Sequence, residues 1–418
     1  MPMDNLTTLL GIPGFKVIDT KRQKRDGRSR VILSLEREPG YAVRCDGCGE
    51  GVERVRPYRT RWVRHLHLWQ HTTFLRFQQY RVICPQCGTK VERLAWLARY
   101  ERVTTPLAAL VAELCKVMTN KAVGLLMGLH PGTVKTIDKE AMTKAQAERP
   151  LDGITVLGTD EIAVGKGQNY WHLISGMDGP RGPELLYIGE GRKEKDLKPF
   201  WKWFGPERTA CITHGVMDMW KGFIKSFRAH VPGIVLIFDK FHILRHLSEA
   251  LNKVRKQEFV KAKGRFRGLL CGKKFVLLAR KAHVRGKARE ALNDLLTFSK
   301  KLAKAHLLKE SFVHLWSYQN KTCARRFLAE WVKELRWKRL KPYEKFVRMV
   351  EKHLDGILAC CDKKVPLGYV EATNLHARNV IRRAYGYRDK EYMKLKIIQA
   401  CSSLGEFRPW VPSSNNSC

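Results

Sequence analysis

Three acids set far apart in the chain carry the chemistry this sequence suggests: Asp160 in TVLGTDEIAV, Asp218 in ACITHGVMDMWKGF and Glu371 in VEATNLHARNVIRRAYGYRD. Asp160 has apolar residues on both sides, where a carboxylate is costly unless a cation or a donor meets it. Carboxylates gathered from separate elements are hard oxygen ligands, which select Mg²⁺ or Mn²⁺ rather than zinc. Two such ions about 3.5 to 4 Å apart activate a water or a 3′-hydroxyl and stabilise the leaving oxygen of an in-line phosphoryl displacement. Glu161, next to Asp160, points to the opposite face of an extended strand and is left out of the set. The competing reading of any single acid is a surface charge or a helix-dipole partner.

A second set is built from sulfur. Cys45-x-x-Cys48 and Cys84-x-x-Cys87 are each closely followed by Gly, and the pairs are separated by alternating stretches such as TRWVRHLHLW and TTFLRFQQYRVI. Two knuckles on hairpin turns bring four thiolates to one tetrahedral structural Zn²⁺, with no open position for catalysis. Cys115, Cys211, Cys271, Cys323, Cys360, Cys361, Cys401 and Cys418 show no ligand pattern and read as small hydrophobes or idle thiols.

The charge of the whole chain names the class of partner. Seventy-eight Lys and Arg face forty Asp and Glu, a formal charge of +38. The excess runs from Lys21 to Lys396, well outside a solubility optimum, and phosphate neutralisation is the usual use of such a field. No apolar run of about 18 residues exists, and MPMDNLTTLLGIPGF has no basic flank before a long apolar stretch. No membrane partner is expected, and a cytoplasmic, nucleoid-associated location is.

The elements that must position these residues follow from periodicity. With 418 residues and 44% apolar content, about two to four domains are expected. Residues 1–40 read as an N-terminal β segment containing the basic run KRQKRDGRSR and the strand VILSLER, and 41–98 as the four-Cys finger. Helical period returns from Thr104, with Leu107, Leu110, Val111, Leu114 and Val117 on one face. Ala122 to Ile137, with Gly128 in the turn, has the form of a helix-turn-helix within 99–149, and Thr133 and Lys135 are its expected DNA contacts. A packed helical pair without groove contact is the alternative.

From Ile154 the order is ITVLGTDEIAV, YWHLISGMD and ELLYIGEG as strands, then helix and strand in alternation through GIVLIFD. That order is what a ribonuclease-H-like fold requires, with 150–246 as its first part. Its fourth strand lies beside its first, so Asp218 can reach the cation that Asp160 holds. Residues 247–365 read as a basic helical insertion, with Trp316, Trp331 and Trp337 as core rather than base-stacking platforms. Residues 366–400 return to the core with Glu371 in the first turn of a helix, and 401–418 read as a loose tail. The fold class is thus multidomain α+β: zinc ribbon and helix-turn-helix, then a ribonuclease-H-like α/β catalytic core interrupted by a mostly helical insertion.

The four-Cys finger, the helix-turn-helix, GTDEIAVGKGQNYWHLIS, VMDMW, IFDKFHILRHL and VEATNLHARNVIRRAYGYRDKEYMKLKI together resemble the ISL3 family of bacterial insertion-sequence transposases. The resemblance covers nearly the whole chain. It implies an Asp, Asp, Glu triad on a ribonuclease-H-like fold, matched here by Asp160, Asp218 and Glu371. It also implies DNA cleavage and strand transfer at the terminal inverted repeats of the element, target DNA as a second partner, and a homodimer or higher assembly on DNA. Where the family often shows Gly-Leu-Asn after Val-Glu, this chain has Ala372-Thr373-Asn374.

Asp239 in IFDKFH also ends a strand, but that strand is one place further from the first, so topology favours Asp218. Asp239-x-x-His242 then looks like the accessory acid and histidine motif of related transposases, with both residues on one face of a helix start. Arg378, Arg382 and Arg383 follow Glu371 at helical spacing and read as phosphate contacts. The reading from another class is a DNA-binding regulator or a decayed transposase without catalysis. Retention of all three acids favours the enzyme.

Overall fold

In the computed structural model the chain divides into two compact units, Met1–Arg149 with Leu404–Cys418, and Pro150–Ser403. The structure describes all residues except 1, 2, 26, 99, 100, 166, 168, 338, 339, 362, 364, 367, 385 and 409–418, and only the backbone of 3, 4, 25, 28, 265, 336 and 337. The Trp337 side chain and the end of the expected tail lie outside the described residues.

The apolar start of the chain forms a helix, α1 (Met3–Leu10), rather than part of a β segment. Leu6 and Leu10 pack on the sheet core beneath it, and Thr7 Oγ1 accepts a hydrogen bond from Val17 N at 2.9 Å. The basic run that follows is a hairpin, with β1 (Phe15–Arg25) antiparallel to β2 (Arg28–Arg37). After the short β3 (Arg44–Cys45) come two long strands, β4 (Val55–Leu68) and β5 (His71–Cys84), and then β6 (Gly88–Arg93). β5 organises this six-stranded sheet: β4 pairs along it, while β2 pairs with its first half and β6 with its end. The first forty residues and the finger stretch therefore share one sheet. Phe15, Phe77 and Trp96 close its core, their ring centroids 5.0 to 5.7 Å apart in edge contacts.

Three helices complete the first unit: α2 (Thr105–Val117), α3 (Asn120–Met127) and α4 (Pro131–Glu148). Thr119 caps α3 by accepting from Ala122 N, and Gly128 ends it in the left-handed region at φ 64°. On α2 the buried residues are Leu107, Val111 and Cys115, whereas Val117, expected on that face, is 61% exposed. Cys115 follows Val111 by four residues and so lies above it on the helix, while Val117 closes the last turn. Part of the expected tail is anchored: Lys116 Nζ donates to Glu406 O and Arg408 N to Glu113 Oε2, both at 2.8 Å.

The second unit is built on five strands, β7 (Val156–Ala163), β8 (Tyr170–Gly176), β9 (Glu184–Glu190), β10 (His214–Met217) and β11 (Val235–Phe238), in the order β11-β10-β7-β8-β9. β7, β8 and β9 form an antiparallel meander, while β10 runs parallel to β7 and β11 parallel to β10. Parallel neighbours need crossovers, and helices supply them: α5 (Lys198–Phe204) and α6 (Pro206–Ala210) before β10, and α7 (Lys221–His230) before β11.

The helical region runs through α8 (Lys240–Lys261), α9 (Gly264–Leu270), α10 (Lys274–Leu278), α11 (Gly286–Phe298), α12 (Lys300–Phe312), α13 (Lys321–Trp337), α14 (Lys341–Lys352) and α15 (Leu354–Leu358). It shares one continuous core with the sheet, from Leu157, Ile174 and Phe238 through Leu247 to Phe312, Trp331 and Tyr343. Trp331 is buried as expected of a core residue, and its Nε1 donates to Leu308 O at 3.0 Å. The chain then returns in α16 (Gly368–Arg383) and α17 (Lys390–Ala400), which pack Ala377, Met393 and Ile397 against Ile162, Trp171 and Ile188. Among the described residues no helix is long and apolar enough to cross a membrane.

Phe312 is fully buried, with ring contacts to Trp331 at 4.9 Å, Phe346 at 5.1 Å and Trp316 at 5.6 Å. Phe312→Ala is expected to cost about 3–5 kcal/mol of unfolding free energy, measured by urea titration of tryptophan fluorescence. A loss below about 1 kcal/mol would show that this core does not hold the second unit together.

Candidate active site

Strand register brings the acids together. β10 pairs with β7 through His214↔Val156, Gly215↔Leu157 and Val216↔Gly158, so two residues further on Asp218 stands level with Asp160. β10 pairs with β11 up to Met217↔Phe238, which places Asp239 level with Asp218. Three carboxylates thus lie side by side along one edge of the sheet, where the two short parallel strands end. Such carboxyl ends are where open α/β sheets bind their ligands.

Each acid is held differently. Asp160 is 8% exposed; its Oδ1 accepts from Glu161 N at 2.8 Å and its Oδ2 from Asn374 Nδ2 on α16. Asp218 accepts from Trp220 N at 2.9 Å, a turn that starts α7. Asp239 caps α8, accepting from Phe241 N at 2.9 Å with one oxygen and from His242 Nδ1 at 2.9 Å with the other. Glu371 stands one turn before Asn374 on α16, exposed, with no hydrogen bond or ion pair among the described residues. Residues three apart share a helix face, so Glu371 neighbours the residue that touches Asp160 without touching Asp160 itself.

Sequence reasoning missed two features of this site. Asn374, noted only in the Ala372-Thr373-Asn374 string after Glu371, is buried and bonded to Asp160; its spacing from Glu371 was the available signal. Glu161 is paired at 2.9 Å with Arg192, whose guanidinium lies between the rings of Tyr170 and Trp220 at 4.2 and 4.3 Å from their centroids. Trp220 Nε1 returns a hydrogen bond to Arg192 O at 2.9 Å, so the turn carrying Asp218 is tied back to the strand carrying Asp160. Nothing local in the sequence marks Arg192.

In the first unit the sulfurs of Cys45, Cys48, Cys84 and Cys87 all lie within 4.8 Å of one another. Gly47 N donates to Cys45 Sγ at 3.3 Å, and a side chain at Gly47 would stand 2.9 Å from Cys87 Sγ. Gly49 and Gly88 turn the two knuckles at φ 84° and 70°. Four close thiols on two knuckles suit a closed tetrahedral site. Backbone N–H groups, that of Cys87 foremost, bring Cys84 down to about 7, while the hydrogen bond with Cys48 foremost pushes Cys87 up to about 12, so without a cation the four thiols do not share one charge state. Thr133 is exposed in the first turn of α4 and Lys135 half-exposed just after it; Arg378, Arg382 and Arg383 are exposed on α16.

Residues 157–397 match a family model described as transposase, of the ISL3 group, and residues 42–87 one described as the zinc-finger of transposase IS204/IS1001/IS1096/IS1165. The chain belongs to the ISL3 transposase family. It is 29% identical over 397 residues to the transposase for insertion sequence element IS1001 of Bordetella parapertussis, covering 94% of this chain and 96% of that one. It is 25% identical over 438 residues to the transposase for insertion sequence element IS1557 of Mycobacterium tuberculosis, covering 98% and 97%.

In this transposase the acids repel one another. Burial pushes Asp218 up to about 6, and the charges of Asp160 and Glu161 add to it, against the Trp220 N–H and His242. Asp160 is raised chiefly by burial, opposed by the Glu161 N–H, His242 and Asn374. His242 is raised to about 9, first by its hydrogen bond to Asp239 and then by the charge of the neighbouring acids, with burial opposing. Among the described residues no Lys or Arg pairs with Asp160 or Asp218, an oxygen donor set that suits a hard divalent cation.

Because Asp218 binds its proton more tightly folded than unfolded, stability falls as pH rises from 3.8 to about 6, and the full penalty stands above that. Asp218→Asn is therefore expected to stabilise the protein in chelator at pH 7.5 by on the order of 1–3 kcal/mol, with the gain vanishing below about pH 4. Paired denaturant titrations at the two pH values check this; an equal or negative effect at pH 7.5 would contradict the crowding of these acids.

Proposed function

We propose that the protein binds the terminal inverted repeats of its insertion sequence and catalyses metal-dependent DNA cleavage and strand transfer, with Asp160, Asp218 and Glu371 as the metal-ligating acids. The observation that carries this reading is the register that sets Asp218 beside Asp160. The strand order β11-β10-β7-β8-β9, a three-stranded meander followed by two parallel strands, supports a ribonuclease-H-like core. Asp218 is favoured over Asp239 because its strand adjoins β7 and, among the described residues, one of its oxygens accepts no hydrogen bond, whereas both oxygens of Asp239 are used.

When bound, Mg²⁺ or Mn²⁺ supplies Lewis acidity at the attacking and leaving oxygens. The chain's own residues do the rest. Asn374 fixes the rotation of the Asp160 carboxylate, and Glu371, one turn away, completes the set from α16. Asp239 keeps His242 protonated, so its cationic ring offsets part of the acid charge and offers its second nitrogen to a phosphate oxygen. The pair α3 and α4 acts as the helix-turn-helix, with Thr133 and Lys135 at the groove, while Arg378, Arg382 and Arg383 hold phosphates near the acids. The four cysteines hold one structural Zn²⁺. On this reading the protein works on DNA in the cytoplasm, as a homodimer or larger assembly.

The test is cleavage of supercoiled DNA carrying the element ends with Mg²⁺ or Mn²⁺. Asp160→Ala and Glu371→Ala are each expected to lower the rate by about 10³-fold or more while leaving end binding intact, since a lost metal ligand removes several kcal/mol of transition-state stabilisation. Undiminished cleavage in both would leave a DNA-binding protein without this active site. Asp218→Cys should regain activity with Mn²⁺; rescue of Asp239→Cys instead would transfer the second position to Asp239.

Purified protein should carry about one zinc per chain, and Cys84→Ser should lose the metal together with the folded first unit. Folded, zinc-free wild-type protein would overturn the structural zinc.

A further inference from the structure

The first unit contains a cavity of about 360 Å³ between its sheet and its last helix, lined by β4, β5, β6 and α4. Arg59 and Arg61 of β4, Arg93 of β6 and Lys144 of α4 line it. Arg61 is only 9% exposed, donates to Glu101 O, and lies 3.5 Å from Gln79 Oε1, which also accepts from Arg59 Nε at 3.2 Å. Two guanidiniums therefore converge on one neutral oxygen. A single amide dipole does not compensate two cations, and burial and the charge of Arg59 weaken the hold of Arg61 on its proton.

Among the described residues no carboxylate is ion-paired with these guanidiniums, and the charge of Glu101 only partly offsets the burial of Arg61 and the charge of Arg59. Asp46 and Glu92 are the acids on the wall, but Glu92 is bonded to Arg37 and to Tyr80 N, and among the described residues none pairs with Arg59, Arg61 or Arg93. Lys144 meets Glu148 at 3.8 Å with both side chains well exposed, a pair worth little. An oxyanion with several acceptor oxygens fits the guanidinium forks and would supply the missing countercharge.

We infer that this cavity is an anion site that takes a phosphate of the DNA backbone, a reading that rests on the proposed binding of the element ends. The geometry of α4 supports that source over a free phosphate. Thr133 and Lys144 lie eleven residues apart on α4, about 17 Å along its axis, whereas the major groove is about 12 Å wide. With the first turn of α4 in the groove, its far end reaches the bordering backbone. A phosphate seated there fixes the register of the helix on the duplex.

The test uses full-length protein with Arg59→Ala/Arg93→Ala, which spares the buried Arg61, and Lys144→Ala as a second variant at an exposed position. Zinc content and thermal unfolding confirm that both are folded. Anisotropy with end-bearing duplex is expected to show the slope of log K against log salt falling by about 0.9 for each phosphate that the variant no longer neutralises. Ethylation interference should show one phosphate that matters to the wild type and no longer to the double variant. An unchanged slope and an unchanged interference pattern in both variants overturn the inference.

If the wild type binds no duplex, the DNA reading itself fails, and inorganic phosphate titrated against wild type and double variant, followed by ³¹P line width, still tests the cavity. Broadening that disappears in the variant would make free phosphate or a nucleotide the ligand and overturn the backbone assignment. No broadening in either would overturn the site.

Discussion

Parallel pairing of β10 between β7 and β11 sets the ends of two short strands level with the middle of β7, and a carboxylate comes with each. The alignment is electrostatically unfavourable: Asp218 is pushed up to about 6 by burial and by its acidic neighbours. The surroundings of these acids can be understood as the means of tolerating that arrangement. His242 contributes a cation, Asn374 contributes a hydrogen-bond donor from a helix more than two hundred residues further along, and backbone N–H groups contribute the rest. Crowding of this kind costs the folded protein stability, and a bound cation would relieve that cost.

Holding the acids in place takes more than the sheet. The β10 strand is only four residues long, and Asp218 lies beyond its last ladder position. Arg192, stacked between Tyr170 and Trp220 and paired with Glu161, fastens the Asp218 turn to β7 from outside. Behind the sheet, the helices from α8 to α15 continue its apolar core, so the long stretch before α16 buttresses the strands that carry the acids. Gly356 lets this packing come close: a Cβ there would stand 2.4 Å from the ring of Phe238, adjacent to Asp239 in sequence. Large ring displacement at that point is not tolerated by a close-packed interior.

The first unit relies on a different device. β5 is long enough to serve two neighbours on one edge, β2 along its first half and β6 at its end, so a hydrophobic core and a four-Cys knuckle share one strand. Burial changes sides along it: Leu75 and Phe77 face the larger core, Val82 and Cys84 the knuckle. Strand twist permits this change of face, and the small core around the cysteines is too slight to hold its shape by burial alone.

What the sequence determined by itself was whatever short-range chemistry encodes. Two Cys-x-x-Cys spacings each followed by glycine announced the knuckle, period-two and period-3.6 patterns announced the strands and helices around Asp160, Asp218 and Asp239, and the net charge announced a polyanionic partner. Tertiary structure decided whatever depends on pairing between distant segments. The apolar start became a helix because Leu6 and Leu10 found the sheet core, and KRQKRDGRSR became a hairpin because β2 found β5. The Asn374 bond to Asp160 and the Arg192 tie to Glu161 have the same origin. A side chain's partner across the fold is set by strand register and helix docking, and neither is written in the residues next to it.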